Sequence, residues 1–168
     1  MSTKKHENQP HLTGEYRWGD TGQLVLLIVF LAIWITDSFI FHYSTFLLER
    51  ISDIIRIPLA TIVLVCGWLL ARRGMKAVFG TPGKQPGVIS TGVFRIVRHP
   101  IYTGAILFYI GATLITMSLA SAALIPVIAG FYFLIARYEE HLLKEAFGND
   151  YLRYKNKTGM LFPKFRRR

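Results

Sequence analysis

Long runs of apolar residues, separated by short polar and charged segments, dominate the pattern of this chain of 168 residues. The first run covers residues 24–43 and contains one charged residue, Asp37. A second run covers residues 54–71, and a third, residues 101–136, contains no Asp, Glu, Lys or Arg. A helix needs roughly 17–25 mostly apolar residues to cross a bilayer, so each run is long enough to do so.

The third run is too long for a single crossing. Its 36 residues would form a helix of about 54 Å, whereas the hydrocarbon core of a bilayer is about 30 Å thick. We therefore predict two helices, 101–118 and 120–137, with a turn within Met117 to Ala123. The predicted fold is all-α: a single integral-membrane domain, residues 1–168, with four transmembrane helices and with polar tails at residues 1–23 and 138–168.

The basic residues predict how this bundle is oriented. With four crossings, residues 1–23, 72–100 and 137–168 share one side, and they hold 18 of the 20 Lys and Arg residues. Because cytoplasmic loops are enriched in Lys and Arg, both termini are predicted to be cytoplasmic. Topology and attraction to the acidic headgroups of a lipid bilayer thus explain the net charge of +10, and no nucleic-acid partner is expected.

The sequence lacks the signatures of several common enzyme classes. Its one cysteine, Cys66, excludes an internal disulfide and a cysteine-based zinc cluster. No HExxH, GxSxG or GxGxxG motif occurs, and His6 and His11 lack metal-ligand spacing, so no metal site is expected. Asp37 lies inside the first predicted span, where an ionisable group is either functional or close to the far interface.

Two polar segments are expected to be neighbours at the cytoplasmic end, since residues 92–104 precede the third helix and residues 137–164 follow the fourth. Pro100 suits the first turn of a helix, and the free amides of such a turn attract anions, carboxylates included. Arg98 and His99 are donors beside that turn. Alternatively, Arg98 is an interfacial anchor and His99 is solvated.

Glu139 and Glu140 are adjacent acids at the exit of an apolar helix. They either face a cationic or hydroxyl-bearing ligand or belong to a helix that continues beyond them. In the second case Gly148 would end that helix, and a short helix carrying Tyr151 and Tyr154 would follow.

Three stretches carry a resemblance to a known family: RHPIYTG (98–104), EEHLLKEAFGNDYLRY (139–154) and KTGMLFP (157–163). They are similar to the C-terminal half of the isoprenylcysteine carboxyl methyltransferases, a family grouped with the phospholipid methyltransferases. The resemblance covers about residues 87–164. It implies a membrane methyltransferase that binds S-adenosyl-L-methionine in a cytosolic C-terminal segment and methylates a lipophilic or lipidated acceptor, such as a prenylcysteine-type carboxylate.

The resemblance also implies site residues, and the cofactor's carboxylate, amine, hydroxyls, sulfonium and flat base suit them. Glu139 matches the family's cofactor-binding acid, and the LFP segment would close over the adenine. The predicted catalytic residues are Glu139, Glu140 and Arg137. The predicted cofactor-binding residues are Phe94, Arg98, His99, Pro100, Ile101, Tyr102, Gly104, Glu139, Tyr151, Leu161, Phe162 and Pro163, with Pro86 to Ile89 aligned more loosely.

One position departs from the family pattern. The carboxyl methyltransferases have a substrate-binding Arg one helical turn before the cofactor Glu, whereas this chain has Ile135 there. Arg137, two residues away, lies on a different face of a helix. Tyr138 to Glu140 is closer to phosphatidylethanolamine methyltransferases, so a phospholipid N-methyltransferase is an alternative. A reductase that uses NADPH and a non-catalytic membrane scaffold are two others.

Overall fold

The computed structural model describes residues 19–80 and 87–164, which form a bundle of α-helices. Within these two ranges no β-sheet forms, and an isolated bridge pairs Val97 with Gly159. The prediction of an all-α fold is therefore confirmed. The helices are α1 (Gly19–Ile35), α2 (Asp53–Phe79), α3 (Pro100–Thr116) and α4 (Leu119–Lys157).

Local sequence signals set the beginnings of these helices. The side chain of Ser52 accepts a hydrogen bond from the amide of Ile54 and so caps α2. Ser118 caps α4 in the same way, through the amide of Ser121. Pro100 occupies the first position of α3, where its missing amide proton costs nothing.

α3 and α4 are joined at Met117 and Ser118, within the predicted turn region. α4 then continues past Glu140 to Lys157 and is broken at Gly148, whose φ of 52° is accessible to glycine at low cost. The segment after the break carries Tyr151 and Tyr154. Of the two alternatives for Glu139 and Glu140, the structure thus shows the helix that continues past them, with its break at Gly148 and a short helix after it.

Three helices are long and apolar enough to cross a membrane, judged by length and composition within the described residues. Two of them extend well past the predicted ends at residues 71 and 137. α3, with 17 residues, is about 25 Å long, somewhat less than the roughly 30 Å of a hydrocarbon core. The three candidate spans are Gly19–Phe41, Asp53–Phe79 and Leu119–Lys157.

The outer surface of the bundle is unusually apolar. Ile54 is 84% exposed, and the side chains of Ile62, Trp68 and Leu134 are also exposed. Large apolar side chains exposed along helices of this length form a surface suited to lipid.

Small residues allow α2 and α3 to pack closely. A side chain on Gly104 would lie 2.6 Å from the carbonyl oxygen of Gly67, and one on Gly74 would lie 3.0 Å from Pro100 and Ile101. This approach places the last turns of α2 beside the first turn of α3.

Asp37 belongs to a polar network at the opposite end of the bundle. Its carboxylate accepts hydrogen bonds from the amide of Ser44 (3.0 Å), the hydroxyl of Ser44 (2.5 Å) and the hydroxyl of Ser118 (2.5 Å). These contacts join the chain after α1 to the start of α4. They favour the interpretation of Asp37 as a residue close to the far interface over a functional role.

We expect Gly104→Ala to lower the free energy of unfolding by about 1–3 kcal/mol, because the added methyl group forces α2 and α3 apart. Gly130→Ala is the matched control, since its added methyl group meets no atom within 4 Å. It should be neutral or stabilise the helix by up to about 1 kcal/mol. Thermal unfolding in detergent measures both, and equal unfolding temperatures for the two variants would contradict the packing described here.

Candidate functional site

The C-terminal segment folds back onto the start of α3. The amide of Arg98 donates to the carbonyl oxygen of Gly159 (2.8 Å), and the amide of His99 donates to that of Met160 (3.2 Å). The hydroxyl of Thr103 donates to the carbonyl oxygen of Leu161 (2.9 Å). The two polar segments predicted to be neighbours therefore meet at one end of the bundle.

A buried ion pair holds this junction together. Both Nε and Nη2 of Arg98 lie close to Glu140 Oε1, at 2.6 and 2.5 Å, and Lys155 Nζ lies 2.7 Å from Oε2. Arg98 also donates to the carbonyl oxygens of Lys155 (3.2 Å) and Thr158. Because Glu140 is only 2% exposed, a carboxylate at this depth needs such partners to stay charged.

His99 and Glu139 form the next layer. His99 Nδ1 lies 3.3 Å from Glu139 Oε2, and the hydroxyl of Tyr102 donates to Glu139 Oε1. The His99 ring stacks on the Tyr102 ring with centroids 5.6 Å apart. Burial lowers the pKa of His99, but the hydrogen bonds and charges of Glu139 and Glu140 outweigh it, so the net pKa is raised above its ordinary value.

A cavity of about 310 Å³, called here the first cavity, opens beside this layer. That volume lies at the lower end of the range for small-molecule sites. One wall combines polar and aromatic side chains, and the other is mostly apolar. Eight predicted residues line it: Phe94, Arg98, His99, Pro100, Ile101, Tyr102, Glu139 and Tyr151.

Three other predicted residues belong to the packed interior. Glu140 lies behind the cavity wall in its ion pair. Gly104 faces α2 rather than the cavity, because it provides the close approach to Gly67. Leu161 was expected to cover the adenine, but it packs into the core with Phe30 and Tyr132 because Thr103 holds its backbone against α3.

The remaining predicted residues are exposed. Arg137 lies on an exposed face of α4 and does not line the first cavity, in keeping with its two-residue offset from the buried Ile135. Phe162 is 73% exposed, and Pro163 is exposed beside it. Of the loosely aligned segment, Gly87 to Ile89 line the cavity, and Pro86 lies outside the described residues.

Sequence reasoning missed most of the opposite wall. Asp20 and Gln23 come from the first turns of α1, and only helix packing brings them here. Met75, Val78 and Phe79 come from the end of α2, where their helical spacing marks a common face. Leu143, Phe147 and Tyr154 of α4 complete the lining.

Residues 55–150, more than half of the chain, match the model of the phospholipid methyltransferase family. The chain is 34% identical over 68 residues to protein-S-isoprenylcysteine O-methyltransferase B of Arabidopsis thaliana, and 36% identical over 77 residues to protein-S-isoprenylcysteine O-methyltransferase of Saccharomyces cerevisiae. No solved structure matches.

These two alignments cover 40% and 45% of this chain. They cover 34% and 32% of the relatives, so the chain matches about a third of the length of these curated proteins. The family resemblance drawn from the sequence motifs is confirmed.

We expect Glu140→Gln to destabilise the protein by about 3–5 kcal/mol, because the substitution leaves the buried Arg98 charge without its partner. Glu145→Gln removes an exposed carboxylate that pairs with His141 and should change stability by less than about 0.5 kcal/mol. Thermal or chemical unfolding in detergent compares the two. Equal stability of both variants would show that the ion pair does not support the junction.

We also expect stability to depend on the charge of His99. Because its folded pKa is raised, the contribution of protonated His99 is fully present below its unfolded value of 6.5 and is lost as pH rises through the folded value. As the pH rises from about 6 to about 9, the unfolding temperature should fall less for His99→Gln than for the native chain. His141→Gln, at an exposed position, should keep the native profile, and an identical profile for His99→Gln would refute the assignment.

Proposed function

This chain belongs to the phospholipid methyltransferase family, and on that premise we propose that it is a membrane methyltransferase that uses S-adenosyl-L-methionine. The proposed acceptor is lipophilic or lipidated and presents a carboxylate of the prenylcysteine type. The names of the matched relatives, which state O-methylation of an isoprenylcysteine, support that choice. The observation that carries the proposal is the meeting of RHPIYTG with Glu139 at one cavity, through His99 and Tyr102.

The residues of the first cavity fit the proposed cofactor. Glu139 is a carboxylate placed to bind an amine or the hydroxyls of a ribose, and a protonated His99 suits a carboxylate. Phe94, Tyr102 and Tyr151 supply aromatic surface for a flat base, and an aromatic face also attracts a cation such as sulfonium. Arg98 contributes through its pairing with Glu140, which keeps the His99–Glu139 layer in place.

When bound, S-adenosyl-L-methionine would supply a methyl group activated by its positively charged sulfur for transfer to an acceptor oxygen. The chain's own part in such a displacement is to hold the partners in line and keep water out. The apolar wall formed by Met75, Val78 and Phe79 serves the second purpose.

A phospholipid amine is the second candidate acceptor, because two observations favour it. Ile135 is 3% exposed and apolar, at the position where the carboxyl methyltransferases have a substrate-binding Arg. Asp20 and Glu139 both line the first cavity, and carboxylates favour a cationic or amine-bearing acceptor over an anionic one.

We propose further that α3 is a fourth crossing and that both termini are cytoplasmic. The join at Met117 and Ser118 reverses the chain at the end that carries the Asp37 network. The first cavity lies at the opposite end, beside the basic C-terminal segment. The excess of Lys and Arg on that side supports a cytoplasmic orientation.

We expect S-adenosylhomocysteine to raise the unfolding temperature of the purified protein and NADPH to leave it unchanged. At about 100 times its dissociation constant the ligand should add about 2.7 kcal/mol. Glu139→Gln should lose this shift, because it removes the carboxylate of the cavity wall, whereas the exposed Glu145→Gln should keep it. A shift with NADPH alone would favour the reductase, and no shift with either ligand would favour the scaffold.

A transfer assay with labelled methyl groups then separates the acceptors. An S-prenylcysteine with a free carboxylate should be labelled, and its carboxamide analogue should not. Labelling of phosphatidylethanolamine instead would assign the chain to N-methylation and reject the carboxylate acceptor.

A further inference from the structure

A second cavity of about 490 Å³, called here the basic cavity, lies next to the first. Tyr154 lines both cavities. Three cationic side chains, Arg95, Arg153 and Lys157, converge on the basic cavity, together with Asp150 and the hydroxyl-bearing Ser90.

The charges of this cavity are not balanced. None of its four charged side chains forms an ion pair with another residue in the ranges 19–80 and 87–164. Arg153 and Lys157 are four residues apart on a helix, a spacing at which like charges repel. One carboxylate, Asp150, faces three cations, so an anion bound among them would relieve the repulsion.

The cations come from two separate elements that the fold holds together. Arg95 ends a short 3₁₀ helix, Gly92–Arg95, and the hydroxyl of Tyr154 donates to the carbonyl oxygen of Phe94 at 2.7 Å. Arg153 and Lys157 belong to the segment of α4 after its break, which Arg98 ties to α3 through the carbonyl of Thr158. The convergence is therefore a property of the tertiary structure and not of one basic run.

The basic cavity also lies level with the start of an apolar helix. Gly159, two residues after Lys157, pairs with Val97, three residues before α3 begins at Pro100. If α3 enters the bilayer there, as proposed above, the three cations lie at the depth of the lipid headgroups. Arg and Lys are the side chains that proteins use for phosphate, and acidic lipids make this interface negative.

We propose that the basic cavity binds a phosphate-bearing anion, either the headgroup of an acidic phospholipid or a soluble phosphate. The bound anion would link the 3₁₀ helix to the last segment of α4. Both elements also contribute walls of the first cavity, through Phe94 and Tyr151, so an occupied basic cavity would stabilise the first.

The test uses the full chain in vesicles of phosphatidylcholine, with phosphatidylglycerol or inorganic phosphate added in separate titrations, and the unfolding temperature as readout. In at least one titration the native protein should be stabilised. Arg153→Gln combined with Lys157→Gln should shift the midpoint of that titration by roughly 25-fold, about fivefold for each cation removed. Lys76→Gln combined with Lys144→Gln removes the same charge from exposed positions that line neither cavity and should keep the native midpoint.

Stabilisation by phosphatidylglycerol alone would identify a lipid headgroup, and stabilisation by inorganic phosphate in neutral vesicles would identify a soluble ion. Equal midpoints for the two double variants, or no stabilisation of the native protein by either anion, would overturn the proposal. Arg95→Gln, which leaves α4 unchanged, gives the same comparison if the α4 variant does not fold. Because the readout needs no methyl transfer, its result is independent of the proposed function.

Discussion

The buried ion pair between Arg98 and Glu140 is the interaction on which the functional end of this protein depends. It joins Arg98, two residues before the start of α3, to the middle of α4, and Arg98 also reaches the carbonyls of Lys155 and Thr158 beyond the Gly148 break. Each of these charges would be costly to bury alone, so the segments that supply them must come together. Glu139 and His99, their neighbours in sequence, are thereby placed side by side at a cavity.

Two unlike kinds of packing surround this pair. Between α2 and α3 the contact is steric, because the backbone of Gly67 lies against Gly104 and no side chain fits between them. At the end of the bundle opposite the first cavity the packing is polar, because the Asp37 carboxylate joins Ser44 to Ser118. The first contact places the end of α2 against the cavity, and the second holds α1 to α4. The ion pair thus holds the polar wall of the site, and apolar helices bound it elsewhere.

The motifs predicted the polar wall well and the opposite wall poorly. RHPIYTG and the paired acids were recognisable because ionisable residues stand out between apolar runs, and His99, Tyr102 and Glu139 do lie together at the first cavity. The motif did not predict which of the two adjacent acids lines the cavity. Glu139 does, and Glu140 lies buried behind it. The LFP segment was predicted to close over the adenine, but Leu161 lies in the core and Phe162 is exposed. The hydrogen bond from the Thr103 hydroxyl to the carbonyl oxygen of Leu161 fixes the direction of this segment.

The sequence by itself determined the helical bundle, the break at Gly148 and the meeting of the two polar segments. Each of these follows from local properties: apolar run length, the backbone freedom of glycine, and the reversal of the chain between two adjacent helices. Only the tertiary structure decided that Arg98 pairs with Glu140, that Asp20 reaches the first cavity from α1, and that Arg95 meets Arg153 and Lys157. Those contacts join residues far apart in the chain, and their geometry depends on how whole helices rotate and pack, which no local pattern specifies.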